Sequence, residues 1–342
     1  MQNERNEVLD ICRGGAIFLV LLGHVIQYGH FLCDFDFWDN VLFRIIYSFH
    51  MPLFMLISGY SFSYSFKKRT LQKLIIHRVF PLIHSIFVFS ILTLLLTGHI
   101  NIFNGEWIIN DGFNIWFLWS IIAASIPVAV IFKSIDNKIL RIFLLFCSAF
   151  SCMLFPNFQI NLYVYPYFVI GFIFSLHEEK LQEVKKILWI FIPLFILMFS
   201  FYQKKHFIYI SGLYTDQYTL WEYVNIDLFR WIIGLTGSIA FIAVILIMKK
   251  KHTVIRLFSY FFSELGVYSL QIYLIQRIVV EFWYPKILGK ICLLGNCKNF
   301  FVNKATIFYD FYSLGMTLLF SVGLLTVSKI LTKNYGKILF GK

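Results

Sequence analysis

The chain has 342 residues, of which 59% are hydrophobic and only 14% charged. An ordinary soluble domain carries about 25% charged residues and no comparable apolar runs, so this composition excludes one and points to a chain that crosses a bilayer repeatedly. The formal charge of +12 does not indicate a nucleic-acid partner. Its basic residues sit in short clusters between apolar runs, the distribution that orients a membrane protein.

The first ten residues hold Glu4, Arg5, Glu7 and Asp10. This is not the basic leader of a cleavable signal peptide, so the first apolar run is expected to remain as the first span. Spans are expected near 11–32, 41–66, 74–97, 113–132, 139–155, 160–176, 186–202, 228–248, 257–284 and 308–332. Each is long enough, or nearly so, to cross a hydrocarbon core of about 30 Å. With the N-terminus inside, most of the thirty lysines and arginines fall on inner segments, and the first three outer loops have none. The expected fold is therefore an all-α polytopic bundle of about ten transmembrane helices. Both termini are expected to be cytoplasmic, in one integral membrane domain over 1–342 with no soluble domain. The longest outer loops, 203–227 and 285–307, are candidate lids.

Within the first span, Arg13 and His24 are eleven residues apart. Eleven residues of α-helix return to within roughly 20° of the starting direction and rise about 16 Å, so the two share a face. Asp10 lies one turn before Arg13. Ionisable groups at such depth are costly and face a protein interior or a watery cavity. The alternative is an interfacial Asp-Arg anchor with a packed, hydrogen-bonded histidine. The second span enters from the opposite side and carries His50 about 13 Å in, near the expected height of His24. Pro52 removes a backbone donor, which invites a kink and a free carbonyl that His50 could bond.

The next inner segment, Lys67-Lys68-Arg69-Thr70-Leu71-Gln72-Lys73, is the densest basic stretch, with Arg78 just beyond. On a continuing helix Arg69, Lys73 and Arg78 could face one way, a cluster suited to phosphate groups. Lys67 and Lys68 are equally well explained as orienting charges that meet lipid head groups. Trp116-Phe117-Leu118-Trp119 opens the fourth span, where an interfacial aromatic belt accounts for it. Glu264 is an acid inside the ninth span and is expected to pair with Arg13 or Arg78. The cysteines form no C-x-x-C motif: Cys12, Cys33, Cys147 and Cys152 are expected to pack in or beside spans, and Cys292 and Cys297 share a loop. There is no Walker loop, no nucleotide-binding glycine motif, no zinc-ligand spacing and no nucleophile elbow.

Five of these segments, in this order, resemble the acyltransferase-3 family of integral membrane acyltransferases. They are Arg13 separated by ten residues from His24; Phe49-His50-Met51-Pro52-Leu53-Phe54 with Ser58-Gly59-Tyr60; the basic segment ending in Arg78 and Pro81; Trp116-Phe117-Leu118; and Gly266-Val267-Tyr268-Ser269-Leu270-Gln271-Ile272-Tyr273-Leu274. The resemblance covers 8–333. One position departs from it: many members carry His after the late Ile-Tyr-Leu segment, where this chain has Gln276. A hydrogen-bonding role survives that change and a titrating one does not. The hydrolase-like extracytoplasmic domain fused to some members is not expected here.

The resemblance implies a multi-pass enzyme of the bacterial inner (cytoplasmic) membrane. It would move a short acyl group, acetyl above all, from acyl-coenzyme A to a hydroxyl of a surface polysaccharide or lipid-linked sugar. Its partners would be acyl-coenzyme A as a donor substrate with no bound cofactor, the glycan acceptor and membrane lipids. Burial disfavours charged imidazole, so His24 is expected to act as the general base. Arg13 would hold donor phosphate or stabilise charge on the thioester oxygen. Arg69 and Arg78 would grip the nucleotide phosphates, while Asp10, His50, Glu264 and Gln276 complete the expected substrate-binding set. The competing reading is a transporter or flippase for a lipid-linked glycan, with the same residues lining its path. Such a protein would be expected to show paired half-sequences or broken helices in matching positions, and no convincing internal repeat is present.

Overall fold

The computed structural model describes residues 7–30, 36–97, 115–155, 158–177, 185–213, 218–250, 255–295 and 306–341. Helix is the regular structure of the described residues, which contain no strand. Cys33, Cys297 and parts of both candidate lids lie outside them. Among the described residues, seven helical stretches are long and apolar enough to cross a membrane: Glu7–Gly29, Val41–Lys68, Leu71–Leu96, Trp116–Ser134, Phe158–Leu176, Leu220–Lys249 and Ile307–Phe340. The other three predicted spans are also helical, but they are assembled from shorter pieces.

The first helix, α1, covers Glu7–Gly29 and places Glu7 and Asp10 in its first turn, where carboxylates complement the helix dipole. The second, α2, covers Val41–Lys68; the Asn40 side chain caps its start by accepting the Phe43 N–H at 2.8 Å. It continues as helix through Pro52 and stops at Arg69, whose backbone is extended. A new start follows, with Thr70 capping the short α3, Leu71–Leu74, then a π-helical turn at Ile75–Val79 and α4, Phe80–Thr97. Arg69, Lys73 and Arg78 therefore do not lie on one continuing helix, as their spacing suggested.

Next come α5, Trp116–Ser134, and α6, Lys138–Ser148, which tightens into a 3₁₀ turn at Ala149–Leu154. They are followed by α7, Phe158–Leu176, and by α8, Phe191–Phe199, entered through a 3₁₀ turn at Leu188–Ile190. On the predicted outer side, a 3₁₀ turn at Lys204–His206 leads to α9, Ile208–Ser211, and then to α10, Leu220–Lys250. The predicted ninth span is a broken helix. It comprises α11, Ile255–Val267, α12, Ser269–Gln276, a π-helical stretch Arg277–Trp283, and α13, Tyr284–Gly295. The last helix, α14, covers Thr306–Phe340.

Two crossings set the frame, and both are made by reciprocal glycines. Where α1 meets α11, a Cβ on Gly14 would stand 1.8 Å from the Phe262 carbonyl oxygen, and one on Gly266 would stand 1.9 Å from that of Asp10. Where α2 meets α7, a Cβ on Gly59 would reach to 1.9 Å from the Phe168 oxygen, and one on Gly171 to 1.9 Å from that of Leu56. Apolar lipid gives helices no hydrophobic reason to associate, so close backbone approach at small residues supplies packing energy instead. The first crossing presses the Asp10–Arg13 turn against the start of the broken helix. The second locks the inner half of α2 in place.

Candidate active site

Four helix segments line two cavities that are stacked along the bundle. The outer cavity has a volume of about 350 Å³ and is lined by Val20, His24, Gln27 and Tyr28 of α1, Tyr47, His50 and Met51 of α2, Trp116 of α5, and Tyr273, Gln276, Arg277 and Glu281 of the broken helix, with Trp38 and Tyr209. The inner cavity, about 220 Å³, takes Arg13 from α1, Ser58 and Ser61 from α2, Phe117 and Ser125 from α5, Gly266, Ser269 and Tyr273 from the broken helix, and His77 and Arg78 from the π-turn. Each helix thus passes from one cavity to the other in the direction its predicted orientation requires.

His24 is the best-placed base. Its Nδ1 lies 2.8 Å from Gln276 Oε1 and 3.4 Å from Glu281 Oε1. Gln276 Nε2 donates to Glu281 Oε1 at 2.8 Å, which fixes the amide with its oxygen toward the histidine. Both oxygens near Nδ1 accept, so Nδ1 carries a proton and Nε2 is the nitrogen turned away from them. The ring sits edge-on to Tyr28, 5.9 Å between centroids, and is about one-fifth exposed. A carboxylate that orients a base through an intervening group is the arrangement general-base catalysis uses.

Glu281 was not singled out in the sequence because α-helical spacing hides it. Five residues of α-helix turn the side chain about 140° away. A π-helix bonds i to i+5, which returns Glu281 beneath Gln276. The expected hydrogen-bonding role of Gln276 is what the geometry gives, and Glu281 supplies the carboxylate.

His50 joins His24 in the outer cavity, as their matched heights implied. Its Nδ1–H donates to the Ile46 carbonyl at 2.8 Å, leaving Nε2 as an acceptor. The carbonyl that Pro52 frees belongs to Ser48, one turn before the proline. His50 instead shares its own helix bond, so the expected pairing with the freed group does not form. Trp116 also departs from expectation. It lines the outer cavity beside the histidines, while its neighbour Phe117 is buried in the wall of the inner one, so the pair divides between two cavities instead of forming a lipid-facing belt.

Arg13 and Arg78 share the inner cavity. Arg13 bonds Asp10 at 3.2 Å and also Ser61 Oγ, and Asp10 is itself buried. Asp10 therefore positions the arginine from behind. Arg78 Nε donates to Ser65 Oγ at 2.6 Å and feels the like charges of Arg13 and Arg69. Arg69, at the end of α2, contributes charge near this cavity without lining it. Like charges are kept close together at a cost that a polyanionic ligand offsets. Lys67 Nζ bonds the Ser175 carbonyl at 2.9 Å and ties α2 to the end of α7.

Glu264 does not belong to this set. It pairs with Lys329 of α14 at 2.6 Å and lines neither cavity. The reason is helical phase. Gly266, two residues on, faces α1, so Glu264 is turned roughly 200° away from the arginines. Arg13 and His24 are separated as well as aligned. A rise of about 16 Å puts them in different cavities, Arg13 in the inner one and His24 in the outer one.

Tyr209 of α9 lines the outer cavity. Buried Arg230 holds this segment, donating to the His206 carbonyl at 3.0 Å and the Gly212 carbonyl at 3.2 Å, with Ser211 and Asp227 completing its bonds. Lys204 pairs with Asp36 at 2.8 Å and anchors the same segment beside Trp38.

Comparison with known proteins identifies the family of the chain. The family model for the acyltransferase domain of the acyltransferase-3 type matches residues 6–327. The chain belongs to that family. Nodulation protein NolL of Sinorhizobium fredii is 31% identical over 198 residues, 52% of this chain and 51% of that protein. Nodulation protein NolL of Mesorhizobium japonicum is 26% identical over 211 residues, 58% of this chain and 54% of that protein. The chain spans about half the length of the curated relatives it matches. No solved structure matches it.

Proposed function

We propose that this membrane acyltransferase moves a short acyl group, most simply acetyl, from cytosolic acyl-coenzyme A to a sugar hydroxyl presented in the outer cavity. The observation that carries the proposal is the division of labour between the two cavities. An arginine pair with partnered serines lies below, and a histidine held as a base by Gln276 and Glu281 lies about 16 Å above. A donor with several phosphates and a long, flexible pantetheine arm suits both ends of that span.

In the transfer step the acceptor oxygen attacks the thioester carbonyl while His24 Nε2 takes its proton. The new C–O bond forms, the C–S bond breaks, and the leaving sulfur receives the proton from His24. The products are an acyl ester and free coenzyme A. Arg277 and the phenols of Tyr28, Tyr47, Tyr209 and Tyr273 line the same cavity and are the donors available to a developing oxyanion. His50 Nε2 can orient the acceptor hydroxyl. The aromatic walls suit the apolar faces of a pyranose ring. A cytosolic donor and an outward acceptor place the enzyme in the inner membrane, with both termini cytoplasmic.

Membranes containing the protein, given acetyl-labelled coenzyme A, should deposit label in a base-labile glycan ester, and His24→Ala membranes should not. Equal label in both, or none above membranes lacking the protein, would contradict the proposal.

A further inference from the structure

Among the described residues, Tyr273 lines both cavities. Below it on the same helix, Ser269 and Leu270 face the inner cavity; above it, Gln276 and Arg277 face the outer one. Positions 269, 273 and 276 follow the spacing of one helical face, so this face forms a continuous wall that Tyr273 interrupts. Its ring meets Phe117 edge-on at 5.5 Å between centroids, and Phe117 packs in turn against Phe54 at 5.2 Å. Both phenylalanines line the inner cavity, while the adjacent Trp116 lines the outer one. Three aromatic rings from three helices thus form a floor between the donor arginines and the base.

We propose that Tyr273 is the acyl-length determinant of the enzyme, a ring at the passage between the cavities that admits a two-carbon acyl group to His24 and hinders longer ones. The inference rests on the donor reading above. A thioester whose phosphates sit at Arg13 and Arg78 must bring its acyl end past this floor to reach His24. An acetyl group adds little bulk beyond the pantetheine arm. Tyr273 also lines the outer cavity with His24, so each further methylene of an acyl group held there must displace a ring that is packed on Phe117, and repacking of that kind is unfavourable in a close-packed interior. The floor also keeps cytosolic water from the thioester, which protects it from hydrolysis.

The test is calorimetric titration of the full-length protein in detergent with coenzyme A, acetyl-coenzyme A, butyryl-coenzyme A and hexanoyl-coenzyme A. Coenzyme A has no acyl group and serves as the reference in each variant. In the wild type, acetyl-coenzyme A should bind within about threefold of coenzyme A, and hexanoyl-coenzyme A about tenfold or more weaker. Tyr273→Ala should bring hexanoyl-coenzyme A back to within about threefold of the reference. Tyr273→Leu, which keeps an apolar side chain in the packing, should give an intermediate ratio. Tyr273→Phe should retain the wild-type discrimination, because the ring and not the hydroxyl forms the barrier. A chain-length series that is the same in wild type, Tyr273→Leu and Tyr273→Ala would overturn the assignment, as would a wild type that binds all four equally. If wild-type protein binds none of the four, the donor reading fails and takes this assignment with it; that result is distinct from coenzyme A binding without discrimination.

Discussion

The inner and outer cavities are built from the same helices and have opposite chemistry. The inner one gathers guanidinium groups and hydroxyls, with Arg13 backed by Asp10 and Arg78 by Ser65. The outer one gathers two imidazoles with their Nδ1 protons committed, a carboxylate, and a set of tyrosines and tryptophans. The outer cavity also carries Arg277, so the contrast is between the Arg13 and Arg78 pair with its serines and the chain of His24, Gln276 and Glu281. Arg13 and His24 stand about three turns apart on one helix, so on the proposed reading a single extended donor reaches both. On that proposed reading, the pair of cavities separates grip from chemistry.

The largest expected effect falls on the outer cavity. His24→Ala should lower acyl transfer by about 10²–10⁴-fold, the usual contribution of a positioned base, with the protein still inserted in the membrane. Initial rates with labelled acetyl-coenzyme A measure it, and a loss under tenfold would mean that proton removal is done elsewhere. Glu281→Gln comes next. It keeps the size of the side chain and the Gln276 bond but removes the carboxylate, so kcat should fall about 10–10²-fold with donor KM little changed. A donor KM effect larger than the kcat effect would place Glu281 in donor binding instead.

The frame can be broken at the glycine crossing beside the inner cavity. Gly266→Ala forces a methyl group onto the Asp10 carbonyl and should cost about 1–3 kcal/mol of stability, read as a lower thermal unfolding midpoint in detergent. Because that crossing carries Arg13 and Gln276 together, donor binding and turnover should fall in step. Lys67→Gln should have the smallest effect. It removes one bond to the Ser175 carbonyl, worth about 1 kcal/mol or less, and should leave donor KM unchanged. A raised KM there would extend the donor site to the end of α2.

Much of the outer cavity was legible in the sequence because α-helical periodicity is reliable where the helix is regular. The alignment of Arg13 with His24, and the matched heights of His24 and His50, both follow from residues on unbroken helices. The account failed where the helix changes pitch. The π-helical stretch after Gln276 moved Glu281 into the site, and the break at Arg69 with the π-turn before Phe80 took Arg69 and Arg78 off a common face. Glu264 was misassigned for a different reason. Depth alone gave it two arginine partners, whereas the close approach at Gly266 turns it toward Lys329. Composition could not show that Trp116 faces a cavity, because an interfacial tryptophan looks the same in sequence whether it meets lipid or substrate.

The claim that binding and chemistry are divided between the cavities is tested most directly by titrating coenzyme A into purified His24→Ala and Arg78→Gln proteins by calorimetry. The account predicts wild-type affinity in His24→Ala and about tenfold weaker binding in Arg78→Gln, the expected loss of one charge-assisted contact. The reverse pattern, with affinity lost on removing His24 and kept on removing the Arg78 charge, would contradict it and put the donor phosphates in the outer cavity.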